Sequence, residues 1–492
     1  MRQDRDKDIK VEIPETGVSL AQAWRYLRLW FGNERPLSGN VRLLDGGRIA
    51  LTLVLDGEIF RFTGAPRDLD ALEDAAAERI FAAVDPTNYV LYLFGKNRFA
   101  EGYAAAARNV ALAPDDFSRG GAFSLWANAT HYSAGDLALA YARASMAVAL
   151  APKSTSGHME LLSVALALGH DEDGLRQARI IATQRKADEA PSFQERGYAY
   201  AQDVAHFARD SVLGDFTQGL VEHCDAGCTL GILKLRRAEY AARLHDPMAS
   251  DVLFADGLAA GQASATRQAR TRYFAAVARG DWPAGVRAAR TYAAALAAEN
   301  APVPRLGAAL VANVATPLLS VALAHAGDVA GAQAAVAATP LDCYDCLRAR
   351  GRVAALRQDT SGAQAWFARA VAAAPSIPFA YADWGEMLLR RGDFGAAISK
   401  FDLAHQKGPH FADPLELWGE ALVATNRSDL AIAKYAEVAR YAPNWGRLHL
   451  KWGEALLWLG RQDDAKKQLA AAAALFLTPA ETRILRTLSG KV

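Results

Sequence analysis

The stretch FAYADWGEMLLRRGDFGAAISKFDLAHQKGP, residues 379–409, decides the fold. It reads as a helix, a short turn at Gly392-Asp393, a second helix and a stop at Pro409, where the ring clashes with the preceding turn and no N–H is available. The pattern then returns. Trp384-Gly385-Glu386, Trp418-Gly419-Glu420 and Trp452-Gly453-Glu454 are 34 residues apart, and Gly351 lies one period before Gly385. Ala363, Ala397, Ala431 and Ala465 keep the same register, as do Phe367, Phe401, Tyr435 and Leu469, and Pro375, Pro409 and Pro443. Self-similarity at such a period signals stacked two-helix units.

Each landmark has a mechanical reason. The glycine lets the second helix approach where a side chain would hold it away, and the alanine does the same from the other helix. The aromatic that follows fills the space between neighbouring repeats. Gly392 and Gly460 supply the turn, with Asn426 in the same place in the middle repeat because Asn tolerates left-handed backbone angles. Gly385, Gly392, Ala397, Phe401, Ala404 and Pro409 resemble the consensus of the tetratricopeptide repeat, a match that is strong from about 344 to 480. Upstream it is degenerate but persistent: Phe99 with Pro114, then Gly135, Ala140, Ala144, Ala147 and Pro152, then Gly169. From 190 to 340 the helical rhythm survives around Gly280-Asp281-Trp282 and Gly327-Asp328 without fixed spacing. The resemblance implies a mainly α fold, a tetratricopeptide-type α-solenoid in which each repeat touches only its neighbours and leaves a concave face open.

Residues 9–85 differ. Ile9 to Pro14 reads as a strand and Ala21 to Phe31 as an amphipathic helix. Val41 to Leu44, Ile49 to Leu55 and Ile59 to Phe62 alternate as strands, with Asp45-Gly46-Gly47 and Asp56-Gly57 as hairpin turns, and Asp68 to Ala83 closes the unit as a helix. The expected domains are therefore a small α+β head (1–85, order β-α-β-β-β-α), degenerate helical hairpins (86–343), and four regular repeats with a C-terminal helix (344–492). The VEIPETG segment and the PHFADPLELWGEAL segment are similar to the extra-membrane part of bacterial membrane-anchored tetratricopeptide proteins. That similarity implies an upstream anchor and a periplasmic or membrane-associated place; a full-length chain of this sequence implies the cytoplasm.

Composition bounds the function. With 51% apolar and 22% charged residues the chain can bury a core nearly throughout. Its 55 Lys plus Arg against 54 Asp plus Glu leave +1, so no global field draws it to nucleic acid. One local concentration, Arg267 to Arg290, reads as a solvated face or as a patch for an anion or acidic partner. The N-terminus MRQDRDKDIK lacks the apolar core of a signal peptide. Leu306 to Gly327 is long and uncharged, but Asn313, Pro317 and weak hydrophobicity point to a buried helical hairpin.

Four cysteines form two local pairs, Cys224 with Cys228 and Cys343 with Cys346. In stacked repeats the pairs are too far apart to share a bridge or a zinc site. Cys343-Tyr344-Asp345-Cys346 follows Pro340 and opens a helix, which leaves three readings: a structural disulfide, buried thiols, or a redox motif. The last lacks the βαβ setting of thioredoxin-like chemistry. His223 beside Cys224 has no further ligand nearby, so no metal is expected. No phosphate-binding loop, dinucleotide fingerprint, HExxH or GxSxG occurs, so neither cofactor nor catalysis is expected.

Helical spacing places Trp384 and Leu388 on the packing side, which turns Phe379, Ala382, Glu386 and Leu389 to the concave face. The same offset adds Asp413, Glu416 and Glu420, then Arg447, Leu450 and Glu454, with Arg348 and Arg352 one repeat earlier. Glu386, Glu420 and Glu454 read either as an acidic ladder for a basic partner segment or as ion-pair partners of adjacent helices. The function expected is a protein-binding scaffold or adaptor. The alternatives are a sensor whose head binds a small molecule or envelope component, and a thiol–disulfide oxidoreductase.

Overall fold

A computed structural model describes residues 37–184, 230–261 and 263–490. Cys224, Cys228 and His223, and the strand and helix expected within 9–31, lie outside the described residues. The chain divides into two compact units, residues 1–105 and 106–492.

In the first unit, β1 (Leu37–Leu44), β2 (Arg48–Leu55) and β3 (Glu58–Gly64) form an antiparallel sheet in the order β1-β2-β3. The two hairpin turns sit where positive φ is tolerated, at Gly46 (79°) and Gly47 (75°), then at Asp56 (51°) and Gly57 (86°). Helix α1 (Leu69–Val84) follows and sets Leu72 against Gly64. Then come α2 (Pro86–Gly95) and α3 (Phe99–Leu112). The small α+β head is present as the alternation implied.

The second unit is built of helical hairpins. Upstream they are α4 (Asp116–Ala129) with α5 (Leu137–Leu150), and α6 (Thr155–Leu168) with α7 (Asp171–Gln184). After the gap come α8 (Leu230–Arg243) with α9 (Pro247–Ala259), and α10 (Ala265–Ala278) with α11 (Trp282–Glu299). Helix α12 (Pro304–His325) pairs with α13 (Val329–Ala337). The regular part is α14 (Tyr344–Leu356) with α15 (Thr360–Ala373), α16 (Phe379–Arg390) with α17 (Phe394–Lys407), and α18 (Ala412–Ala424) with α19 (Ser428–Val438). It ends with α20 (Gly446–Trp458), α21 (Gln462–Ala474) and the terminal α22 (Pro479–Ser489).

The landmarks do what their chemistry requires. A Cβ on Gly385 would lie 2.5 Å from the Phe401 ring, so glycine there lets α17 seat its aromatic on α16. Phe367 and Phe401 are wholly buried, as are Ala363, Ala397, Ala431 and Ala465. The turns at Gly392, Asn426 and Gly460 adopt φ of 79°, 58° and 70°.

Three expectations change. Residues 304–325 form one helix, not a hairpin: Pro317 is absorbed by a π turn at Val311–Ala315, which widens the helix where the missing N–H breaks the ladder. That helix is long and apolar enough to cross a membrane, yet Leu306, Leu310, Ala315 and Val321 are buried among its neighbours. The arginines from 267 to 290 are not one solvated face: Arg267 is buried, Arg270 pairs with Glu239 at 2.9 Å, and Arg279 pairs with Asp251. Finally, hairpins touch more than their neighbours. Asp136 meets Arg305 at 3.3 Å, His170 meets Asp342 at 3.4 Å, and His245 meets Asp413 at 3.1 Å, across 169, 172 and 168 residues.

Candidate functional site

The first helices of the regular repeats are tied along one face by ion pairs that run from helix to helix. Arg348 on α14 reaches Asp383 on α16 at 2.8 Å while holding Asp345 on its own helix at 2.8 Å, and Arg352 lies 3.9 Å from Asp383. Burial works against the Arg348 charge, but Asp383 and Asp345 outweigh it and raise its pKa, so the guanidinium is fixed as a cation. On α16, Glu386 pairs with Arg390 at 2.6 Å, one turn on. Phe379 and Leu389 are half-buried, and the Arg348 guanidinium sits 5.1 Å from the Phe379 ring centre.

Toward the carboxyl end, Arg447 on α20 is the hub. It meets Glu416 at 3.1 Å and Glu420, both on α18, and Glu481 on α22 at 3.6 Å. Lys451 adds contacts to Glu420 at 3.8 Å and Glu454 at 3.4 Å. Glu416 is 1% exposed, and burial raises its pKa well above the usual carboxylate range. Burial also pushes Glu420 up, but Arg447 and Lys451 win and hold it low. The pair thus keeps one proton readily and one charge firmly.

Of the residues placed on this face by spacing, Arg348, Arg352, Phe379, Glu386, Leu389, Asp413, Glu420, Arg447 and Glu454 keep some exposed surface. Leu450 and Glu416 do not. Leu450 is wholly buried, packed with Leu469, Leu485 and Leu488 under the terminal helix α22. Ala382 is likewise buried. Glu386 pairs with Arg390 and Glu454 with Lys451 on their own helices, while Glu420 pairs with Arg447 and Lys451 of α20.

Sequence spacing missed an occupant of the same face. The corner between α8 and α9 lies against it: the His245 ring stacks on Trp445 at 3.7 Å, Asp246 accepts from Asn444 Nδ2 at 2.7 Å, and Arg243 lies 5.8 Å from the centre of the Phe379 ring. Residues 168 apart leave no mark in a local pattern, though the Gly-Asp turn signature one residue off, as His245-Asp246, was there to be read.

Cys343 and Cys346 are joined in a disulfide. Among the described residues no cluster of His, Cys, Asp and Glu is arranged to hold a metal ion.

No protein-family model matches the chain. No curated protein matches it either. Similar solved structures include yeast Tom70, with a TM-score of 0.40 at 13% identity over 83% of this chain and 95% of that one. YrrB, described as a TPR protein with an unusual peptide-binding site, gives a TM-score of 0.29 at 14% identity over 37% of this chain and 92% of its own. MamA AMB-1 gives 0.27 at 18% identity, over 34% and 99%.

Proposed function

We propose that this tetratricopeptide-type repeat protein is an interaction scaffold or adaptor that holds a segment of a partner protein along the first-helix face of residues 344–481. One observation carries the reading. On that face the carboxylates of Glu416, Glu420, Glu454 and Glu481 gather around two cations, Arg447 and Lys451, and Asp413 lies on the same face bonded to His245, so negative charge is in excess at the carboxyl end. Burial keeps Glu416 protonated more readily than its neighbours, and an excess of carboxylate remains. A basic segment fits it, with Phe379 and Leu389 offering apolar contact where Arg348 and Arg352 are already neutralised by Asp383 and Asp345. Recognition of this kind weakens as salt rises.

The test starts from affinity capture with the full chain and mass spectrometry, followed by Glu386→Lys with Glu454→Lys. These two carboxylates are each 31% exposed, and their reversal leaves the Arg447–Glu420 pair in place. Lost binding at an unchanged melting temperature is expected. Retained binding with a lower melting temperature shows that the two glutamates serve the fold alone and removes this face from the reading.

A further inference from the structure

The disulfide between Cys343 and Cys346 sits where three hairpins meet, and both residues are completely buried. On one side is the corner between α6 and α7. A Cβ on Gly169 would come within 2.7 Å of Cys343 Sγ, and the Gly169 carbonyl accepts the Tyr344 N–H at 2.8 Å. On the other side is the π turn of α12. Pro317 has no N–H to give the carbonyls four and five residues before it, those of Asn313 and Ala312. Cys343 Sγ lies 3.5 Å from the Asn313 carbonyl oxygen; Cys346 Sγ lies 3.9 Å from that oxygen and 3.9 Å from the Ala312 oxygen. A disulfide sulfur carries no hydrogen and donates nothing to them, whereas a thiol donates one. The site that encloses the oxidised pair therefore also presents acceptors suited to the reduced pair.

We propose that Cys343 and Cys346 form a reversible dithiol–disulfide site that sets how tightly α14 is held to the corner at Gly169. The reductant is a small dithiol. Its thiolate attacks one sulfur of the pair, and its second thiol releases the other, so the Cys343–Cys346 bond breaks and the donor leaves as its own disulfide. Two electrons and two protons pass to the pair, giving two S–H groups directed at Asn313 and Ala312. Reduction removes the cross-link from the first turn of α14 and weakens the Tyr344 to Gly169 bond that depends on it. Leu341, Asp342 and Leu347, which flank the pair, line an open cavity of about 470 Å³ from which the reductant approaches during local opening. Because both sulfurs are buried, the site responds to a small reductant and does not exchange disulfides in other proteins.

The experiment equilibrates the full chain with mixtures of reduced and oxidised dithiothreitol, alkylates free thiols, and follows the peptide carrying Cys343 and Cys346 separately from that carrying Cys224 and Cys228. Half-reduction with an unchanged far-ultraviolet circular dichroism signal is expected, together with loss of hydrogen-exchange protection at the Tyr344 amide. Pro317→Ala restores an N–H for the Asn313 carbonyl, so half-reduction should need severalfold more reductant. Reduction that occurs only with loss of the helical signal, or unchanged protection at Tyr344, overturns the proposal. So does an unchanged midpoint in a folded Pro317→Ala chain; if that variant does not fold, the wild-type measurements alone decide.

Discussion

Gly385 shows how much a single hydrogen atom can decide. A methyl group in its place would sit 2.5 Å from the Phe401 ring, and the ring has nowhere to go because it is wholly buried. Gly385→Ala should destabilise the chain by about 1–3 kcal/mol, the usual cost of overpacking a close-packed core, and denaturant unfolding would show it. An unchanged midpoint would mean that α16 and α17 can separate without penalty. His325 makes a different point. Burial, aided by Arg352 and Arg390, pushes its imidazole down to about 3, and its ring stacks on Trp282 at 3.9 Å. Above about pH 6.5 the residue is neutral folded and unfolded, so it contributes no pH dependence. Below that the unfolded chain takes up a proton that the folded one refuses until the pH approaches 3. Stability therefore falls by up to about 1.4 kcal/mol per pH unit from this group. His325→Phe keeps a ring on Trp282 and should flatten the curve between pH 7 and 5; parallel curves for the two chains would refute the assignment.

At the scale of the element, the hairpin turn is a two-residue device. A residue with positive φ ends the first helix, and the aspartate after it caps the second by accepting the N–H three residues on. Gly135-Asp136, Gly280-Asp281, Gly327-Asp328 and Gly392-Asp393 follow this form. Gln358-Asp359 and His245-Asp246 keep the aspartate but place a side chain at φ of 63° and 59°. These two sites differ in what the side chain does. Gln358→Gly relieves left-handed strain and should stabilise the chain by about 0.5–1 kcal/mol in thermal unfolding, since the strain of roughly 1–2 kcal/mol exceeds the entropy cost of glycine. His245→Gly should not stabilise, because the ring it removes is stacked on Trp445 and bonded to Asp413. Equal responses at the two sites would refute the distinction.

At the scale of the molecule, the second unit closes contacts that a ribbon of nearest neighbours does not contain. The His245 to Asp413 bond joins residues 168 apart, beside the Asp246 to Asn444 bond that spans 198. If these corners hold one superhelical turn to the next, His245→Ala and Asp413→Ala should be coupled. A double-mutant cycle should return about 0.5–1 kcal/mol, diminished by salt, where unconnected residues so far apart in sequence return nothing. A coupling of zero would leave the corner as a passive neighbour of the groove.

What the amino-acid sequence determined by itself is the repeating unit: glycine, alanine, aromatic and proline at a spacing of 34 residues dictate paired helices and their turns, because each acts on a helix within a few residues of its own position. The alternation in residues 41–62 determined the sheet of the first unit for the same reason. Only the tertiary structure decided that Leu450 and Glu416 are buried, that Pro317 opens a π turn, and that His245 lies against the face where a partner was expected. Those outcomes depend on which elements far apart in the chain meet and on what packs over each first helix. A local pattern carries no record of either, since the stacking angle that brings distant helices together accumulates from small rotations at every interface.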